Sequence, residues 1–280
     1  MKRDEAHAMR EDLMIRLKYE GAEDLAEKLA HCGQKVGLTC THCGIRKTVL
    51  SRCKRKWCPA CQRSIAAKRA QRMRGAVRAM EYPLFVTLTM TNSDDPESVR
   101  HLRRSFGKLR NRKLWKDTVQ GGCAAVEVTN KGNGWHPHLH ALVDCRWLAI
   151  QTPEPPRNIP NERKRLYYES ARRELSDTWA HTLGQPSAIV LAKRAHGVEV
   201  VKEVLKYSIK GSELLDSPDE IAPMLRVLEN TRLITTFGTL YGRTKELDNS
   251  EESSGCPCGE CGAIGSMLPD EIISYITRAA

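Results

Sequence analysis

The sequence predicts an α+β domain that follows a zinc-binding segment. Apolar runs with strand-like alternation are interleaved with helical patterns along most of the chain. Two of these runs, residues 123–130 and 136–145, are joined by the short turn Lys131-Gly132-Asn133-Gly134, which indicates a β-hairpin and excludes an all-parallel sheet. Upstream of the hairpin lie two pairs of cysteines with CxxC spacing, which is typical of zinc sites in small ribbons.

Four segments are predicted along the chain. Residues 1–37 form a helical segment, residues 38–80 a zinc ribbon with a basic helix, residues 81–247 the sheet domain, and residues 248–280 a linker with a cysteine-containing tail. Within the first segment, residues 1–31 have the pattern of one charged amphipathic helix. Its apolar positions include Leu13, Leu17, Leu25 and Leu29.

The charge pattern favours a polyanionic partner. The 280 residues contain 45 Lys and Arg against 34 Asp and Glu, a net charge of +11. No acidic residue occurs between Glu27 and Glu81, a stretch rich in Lys and Arg. A basic surface binds nucleic acid by releasing counterions from the phosphates.

The cellular setting is expected to be the cytoplasm, with no membrane partner. No apolar run has the length of a bilayer span, and the N-terminus lacks the apolar core of a signal peptide. In that reducing compartment the eleven cysteines favour metal ligation over disulfides.

The predicted hairpin carries a candidate metal site. His138 and His140 alternate along one strand, so both imidazoles project from the same face. If residues 131–134 form the loop, Glu127 lies opposite His138 on that face. Two imidazoles and one carboxylate suit Mg²⁺ or Mn²⁺ with open positions for a phosphate. His136 shares the face but is the less secure ligand, because regular strand pairing is expected to begin only after Pro137.

A second candidate site lies on a predicted helix at residues 198–210. Its apolar stripe consists of Val201, Val204, Leu205 and Ile209. Glu203, Tyr207 and Lys210 share a different face. The phenol of Tyr207 can attack phosphorus, the carboxylate of Glu203 can act as general base for a water, and Lys210 can supply positive charge.

Three stretches resemble, in order, the motifs of the HUH (His-hydrophobic-His) rolling-circle replication initiators. They are Phe85-Val86-Thr87-Leu88-Thr89, His136-Pro137-His138-Leu139-His140 and Glu203-Val204-Leu205-Lys206-Tyr207-Ser208-Ile209-Lys210. The resemblance spans roughly residues 82–211. It implies an HUH endonuclease domain with a five-stranded antiparallel sheet, flanked by helices, in which the HUH strand is central. It also implies a divalent metal and covalent attachment of Tyr207 to the 5′ phosphate at a nick.

Glu203 narrows the resemblance to one class of plasmid initiator. Related two-tyrosine phage initiators and transposases carry a second Tyr at this position, one helical turn before the first. The implied enzyme opens the replication round with Tyr207 and ends it when Glu203 activates water. Its implied partners are single-stranded or cruciform origin DNA and a host helicase. Two alternatives stay open: an HUH single-strand DNA transposase, and a non-catalytic zinc-dependent DNA-binding protein.

The two CxxC pairs predict a structural Zn²⁺ site formed by Cys40, Cys43, Cys58 and Cys61. Cys53 or, less plausibly, His42 could replace one of these ligands. This predicted ribbon is rich in basic residues, which suggests that it contacts DNA. The alternative is a zinc site that only stabilises the fold. They are Arg46, Lys47, Arg52, Lys54, Arg55 and Lys56.

A second cysteine cluster lies in the tail, at Cys256, Cys258 and Cys261. These three thiols could hold another metal if Cys32 or another group completes the site. Otherwise Cys32 is expected, like Cys123 and Cys145, to be a small buried apolar side chain.

Overall fold

The computed structural model describes residues 3–150, 173–195, 201, 204, 211–242 and 267–269. Over these residues the chain has the predicted α+β fold. The helices are α1 (Arg3–Tyr19), α2 (Glu23–Ala30), α3 (Pro59–Arg78), α4 (Ser98–Asn111), α5 (Lys113–Thr118), α6 (Arg146–Ile150), α7 (Arg173–Leu183), α8 (Gly211–Leu215) and α9 (Ala222–Glu229). The strands are β1 (Lys35–Cys40), β2 (Arg46–Leu50), β3 (Pro83–Thr89), β4 (Gly121–Asn130), β5 (Trp135–Asp144), β6 (Val190–Arg194), β7 (Ile234–Gly238) and β8 (Met267–Pro269).

The main sheet has five strands in the order β6-β3-β5-β4-β7, and every neighbouring pair is antiparallel. Strand β5, which carries the His-rich motif, is central and is hydrogen-bonded to β3 and β4. The five-stranded antiparallel sheet is therefore confirmed, with the His-rich strand at its centre.

The β4–β5 hairpin has the predicted loop and register. Gly132 and Gly134 both adopt positive φ, which glycine tolerates without strain. Asn130 pairs with Trp135, and counting along the strands pairs Glu127 with His138.

Regular pairing begins at Trp135, so the expectation that it starts after Pro137 was wrong. Pro137 pairs with Val128 of β4. On the opposite edge of β5 the ladder with β3 ends at Thr89 and His138, one residue after the proline. Pro137 therefore lies outside the β3–β5 ladder, and its missing amide hydrogen removes no hydrogen bond from that ladder.

The two faces of the main sheet are covered by different elements. On one face, Val86, Val126 and Ala141 pack against apolar side chains of α4, α5 and α7, including Leu102, Trp115 and Trp179. On the other face, Phe85, Cys123 and Leu142 pack against Met73 and Val77 of α3 and against Val201 and Val204. Helix α3 thus covers the sheet face that carries the predicted metal ligands.

Residues 1–31 form two helices instead of the single predicted one. Helix α1 ends at Tyr19, and Gly21 adopts φ of 68°, which turns the chain before α2. The four predicted apolar positions are nevertheless fully buried: Leu13, Leu17, Leu25 and Leu29. They join a core that extends to the main sheet. The division into four segments stays a prediction.

A second, smaller sheet has the order β2-β1-β8 and is also antiparallel. Its third strand belongs to the C-terminal tail. Among the described residues, the helices are all too short or too polar to cross a bilayer.

Candidate functional site

Glu127, His138 and His140 converge on the face of the sheet that α3 covers. Their register places them together, since Glu127 pairs with His138 and His140 follows two residues later on β5. Oε2 of Glu127 lies 2.8 Å from Nε2 of His140 and 3.4 Å from Nε2 of His138. All three potential ligand atoms lie within 4.8 Å of one another. The predicted triad is therefore brought together.

This geometry fits one divalent ion. Neighbouring ligands of an octahedral ion at about 2.1 Å are roughly 3.0 Å apart, and the two measured separations lie on either side of that value. The side chains are only partly exposed, at 9% for Glu127, 12% for His138 and 18% for His140. The donor set of two imidazoles and one carboxylate leaves coordination positions for a phosphate and water.

The carboxyl group of Glu127 is held in its charged form. Burial raises its pKa, but the hydrogen bonds and electrostatic interactions with His138 and His140 outweigh burial and bring the pKa well below its usual value. A deprotonated carboxylate is the form that binds a metal cation.

Contacts behind the ligands orient the two imidazoles. Nδ1 of His140 lies 3.1 Å from Oγ1 of Thr87, its partner on β3. Nδ1 of His138 lies 3.3 Å from the carbonyl oxygen of His136. In both rings an oxygen faces Nδ1, which leaves Nε2 for a metal. Thr87 was not among the predicted site residues, although it lies in the first of the three stretches that resemble the initiator motifs.

His136 is not one of the converging ligands. Its ring centroid lies 5.4 Å from that of His138, and burial, followed by the neighbouring charge of His138, lowers its pKa. Among the described residues, the group of potential metal ligands at this site consists of Glu127, His138 and His140.

The predicted nucleophile helix is described at two positions only. Val201 and Val204 are helical, and both are buried against the same face of the sheet as the metal triad. The remaining positions of interest lie outside the described residues: Glu203, Leu205, Tyr207, Ile209 and Lys210.

Four sulfur atoms converge at the N-terminal end of α3. Sγ of Cys32 lies 3.4 Å from Sγ of Cys61 and 3.7 Å from Sγ of Cys58, and Sγ of Cys53 lies 3.7 Å from Sγ of Cys61. A tetrahedral zinc with Zn–S bonds of about 2.3 Å separates its sulfurs by roughly 3.8 Å. The spacing is far longer than a disulfide bond of about 2.05 Å. The cluster is therefore compatible with a zinc ribbon.

This cluster differs from the predicted set of zinc ligands. Cys58 and Cys61 belong to it, but its other members are Cys32 and Cys53, where Cys40 and Cys43 were predicted. Cys40 and Cys43 lie at the end of the β1–β2 hairpin, one at the last residue of β1 and the other in the turn. Cys32 is buried, as expected, and it also belongs to a possible metal-binding group, although at this cluster and not with the tail cysteines as was considered. Hydrogen bonds with the other three thiols lower the pKa of Cys32.

Basic residues beside this cluster hold it against the rest of the domain. Nζ of Lys56 donates to the carbonyl oxygens of Glu229 at 3.0 Å and Thr231 at 2.8 Å, where α9 ends. Arg55 forms an ion pair with Glu229 at 3.2 Å. Arg52 also donates to the carbonyl oxygen of Ala60 at 2.9 Å, so three of the six basic residues that suggested a DNA-binding ribbon make contacts within the protein.

The remaining cysteines differ in setting. Cys123 and Cys145 are buried in the main core, as predicted, and burial raises the pKa of Cys123 to about 12 and also raises that of Cys145. Both therefore stay neutral thiols. Cys256, Cys258 and Cys261 lie outside the described residues.

Comparison with known proteins supplies one match. Residues 45–146 match the model of a family described as replication protein. The match runs from the β1–β2 hairpin to the residue after Cys145, and it includes all three members of the metal triad. The resemblance to replication proteins is thereby confirmed. No curated protein and no solved structure matches the chain.

Proposed function

We propose that this protein, similar to replication proteins across its metal triad, initiates plasmid rolling-circle replication as an HUH nicking and joining enzyme. One observation carries the proposal: Glu127, His138 and His140 converge within the segment that matches replication proteins. A non-catalytic DNA-binding protein has no need for two imidazoles and a charged carboxylate at metal-binding distance on one sheet face. Val201 and Val204 are buried on the same sheet face as the triad. This burial supports the proposal that the neighbouring residues of the predicted helix belong to the site.

Nicking in this proposal is a transesterification by Tyr207. The phenol oxygen forms a bond to phosphorus, and the bond from phosphorus to the 3′ oxygen breaks. The proton lost by the phenol is balanced by the one that the 3′ oxygen gains. The 5′ phosphate then stays on the protein as a phosphotyrosine, which preserves the bond energy for later joining.

The other residues prepare that step. Glu127, His138 and His140 present three ligand atoms on a rigid central strand and its neighbour. Mg²⁺ or Mn²⁺ held by them would polarise the scissile phosphate. Lys210 contributes positive charge near the phosphate. Glu203 removes a proton from water at termination, so the last cleavage is hydrolysis instead of a second covalent attachment.

The proposed DNA partner is single-stranded or cruciform origin DNA, presented by a host helicase. Helix α3 covers part of the sheet face that carries the triad, and Lys68, Arg74 and Arg78 are exposed on this helix. Positive charge beside the site is suited to the sugar-phosphate backbone of the bound strand. The Cys32–Cys53–Cys58–Cys61 cluster supports this face because α3 begins between Cys58 and Cys61.

The proposal is tested by a nicking assay with the full-length chain, a single-stranded origin oligonucleotide and Mn²⁺. We expect cleavage by the unaltered protein and a rate lower by about 100-fold or more for His138→Ala, since a metal contributes several kcal/mol to the transition state. His181→Ala is the matched control, because His181 is exposed on α7, which packs with α4 on the opposite face. Nicking by His138→Ala at the unaltered rate, or full activity in EDTA, contradicts the proposal.

A further inference from the structure

Edge strand β6 has an exposed apolar surface on the sheet face that carries the metal triad. Val190 and Ala192 point to the opposite, helix-covered face and are buried in its core. Leu191 points to the triad face and is 38% exposed, and Ile189, directly before the strand, is 53% exposed. A strand with one face in water normally alternates apolar with polar side chains. The open face of β6 therefore has the apolar character of a surface that a ligand covers.

The sheet register aligns Leu191 with one of the proposed metal ligands. Leu191 pairs with Thr87 of β3, and Thr87 pairs with His140 of β5. Neighbouring strands are about 4.8 Å apart, so the backbone of Leu191 lies about 10 Å from that of His140. Thr87 between them is only half-buried. The apolar surface and the triad thus belong to one continuous stretch of the sheet face.

Ile189 is aligned with the other imidazole in the same way. Thr89 pairs with His138 of β5. On its other side, the amide and the hydroxyl of Thr89 both donate to the carbonyl oxygen of Ile189, at 3.1 and 3.0 Å. Nε1 of Trp179 also donates to the carbonyl oxygen of Thr89 at 2.7 Å. These bonds fix the backbone at Ile189, so its side chain stands at a defined distance from the triad.

Lys193 adds a positive charge beside this apolar pair. It is exposed and pairs with Phe85 of β3. Its Nζ lies 4.9 Å from the centre of the Phe85 ring, and the same ring lies 5.2 Å from that of His140. Attraction to a ring face holds an ammonium group in place without neutralising its charge. An anion that lies along β6 is therefore attracted to Lys193.

Single-stranded DNA is the ligand that fits this combination. A nucleotide carries a base with apolar faces and a negative phosphate, and proteins that bind single strands combine positive charge with side chains that pack on bases. Leucine and isoleucine are among the apolar side chains that DNA-binding proteins insert between bases. Two side chains are too small a surface for a stable protein interface, which buries about 800 Å² on each partner.

We propose that Ile189, Leu191 and Lys193 form a subsite for one nucleotide of the bound strand, next to the phosphate at the triad. The inference rests on the proposed nicking function, which brings that phosphate to the triad. Ile189 and Leu191 pack against the base, and Lys193 binds a neighbouring phosphate. A stacked strand rises about 3.4 Å per nucleotide, so this nucleotide lies within about three of the cleaved bond. The subsite thus helps to select which bond reaches the metal.

The test begins with DNA binding by the full-length protein, in buffer without divalent metal ions so that the strand is not cleaved. Fluorescence anisotropy measures the Kd for a labelled single-stranded origin oligonucleotide. Leu191→Ala should raise this Kd by about 5-fold, because part of an apolar contact is lost, and Leu191→Met should bind like the unaltered protein. Ile45→Ala is the matched control, because Ile45 is 39% exposed beside the second sheet, and it should leave the Kd unchanged.

Oligonucleotides that lack one base at a time then locate the contact. At one position, loss of the base should raise the Kd of the unaltered protein but should not raise that of Leu191→Ala any further. In a parallel nicking reaction with Mn²⁺, this position should lie within about three nucleotides of the cut. Additive effects at every position, or coupling far from the cut, overturn the proposal. If the protein binds but does not nick, the proposed function fails, whereas the coupling still decides whether the subsite exists.

The role of Lys193 is read from the salt dependence of the same binding. Lys193→Gln should lower the slope of log affinity against log salt by about 0.7, the value for one phosphate contact on a single strand. Lys116→Gln removes the same charge from an exposed position on α5 and should leave the slope unchanged. An equal change in both variants excludes Lys193 from the subsite.

The accessibility of the apolar pair is tested by carbene labelling followed by mass spectrometry. Leu191 should be labelled in the free protein and protected when the oligonucleotide is added, whereas Ile45 should be labelled equally in both. Protection of Leu191 already in the free protein would mean that the chain itself covers this surface, which overturns the proposal.

Discussion

Oγ1 of Thr87 lies 3.1 Å from Nδ1 of His140, whereas Nε2 of the same ring lies 2.8 Å from Oε2 of Glu127. The two residues are direct partners across β3 and β5, so the sheet register fixes this contact. With a metal bound at Nε2, a hydroxyl that accepts from Nδ1–H would fix the tautomer whose Nε2 lone pair is free for the ion. Thr87 is thus a positioning residue for the proposed metal ligand.

Thr87→Val should weaken metal binding without removing a ligand. Valine has a similar shape but no hydroxyl, so the tautomer and orientation of His140 are no longer fixed. We expect a Kd for Mn²⁺ raised by roughly 10- to 100-fold, the range typical of such supporting contacts. Thr87→Ser keeps the hydroxyl and should bind Mn²⁺ within a few-fold of the unaltered protein. Titration followed by electron paramagnetic resonance measures both, and equal affinity of the valine and serine variants contradicts this role for Thr87.

His136 and His138 should differ sharply in the same titration. His138 contributes one of the three converging ligand atoms, whereas His136 lies outside this group. His136→Ala is therefore expected to retain Mn²⁺ binding, and His138→Ala to lose most of it. Both changes remove an imidazole from the same strand face, which makes the pair a matched comparison. If His136→Ala lost as much affinity as His138→Ala, the metal would have a different ligand set.

Exposed arginines of α3 should account for part of the salt dependence of DNA binding. Each phosphate contact on a single strand contributes about 0.7 to the slope of log affinity against log salt. Arg74→Ala with Arg78→Ala should lower the slope for a single-stranded oligonucleotide by up to about 1.4. Lys108→Ala with Lys116→Ala removes the same charge from exposed positions on α4 and α5, on the opposite sheet face, and should leave the slope unchanged. An equal change for both pairs would remove α3 from the binding surface.

The sequence was sufficient to predict the part of the site that depends on the alternation of side chains along a strand. Side chains alternate along a strand, and a four-residue loop fixes the register, so Glu127, His138 and His140 had to share a face. Thr87 could not be found in this way. Its position depends on which strand lies on the other side of β5, and hairpin geometry says nothing about that neighbour.

The four-cysteine cluster shows where prediction from the sequence ends. Two CxxC pairs separated by a short loop fit a single site as well as halves of two sites, because spacing does not say which pairs meet. Cys32 and Cys53, which the structure places beside Cys58 and Cys61, are isolated cysteines without a motif. Their convergence depends on packing that no local pattern records, including the break at Gly21 and the docking of Lys56 at the end of α9.

Glu203→Ala should separate initiation from termination. The carboxylate is proposed to activate water only in the last cleavage, so the variant should still form the covalent adduct at a rate close to that of the unaltered protein. Replication from a plasmid origin should then produce over-long strands, because hydrolysis at the end of the round is slowed by roughly 10²- to 10⁴-fold. Glu203→Tyr should restore termination but leave protein attached to DNA. Failure of Glu203→Ala at the first nick, with normal DNA and metal binding, would assign Glu203 to the initiation chemistry.

The most direct test of the account is the site of covalent attachment to DNA. The full-length protein is incubated with a single-stranded origin oligonucleotide and Mn²⁺, and the adduct is digested and mapped by mass spectrometry. The account predicts one 5′-phosphotyrosine, at Tyr207, which disappears in Tyr207→Phe. The control Tyr241→Phe should form the adduct normally, because the phenol of Tyr241 is exposed. Tyr241 follows Leu240, which belongs to the same core cluster as Val201 and Val204. An adduct that persists in Tyr207→Phe, or cleavage by the unaltered protein with no adduct at all, contradicts the central claim.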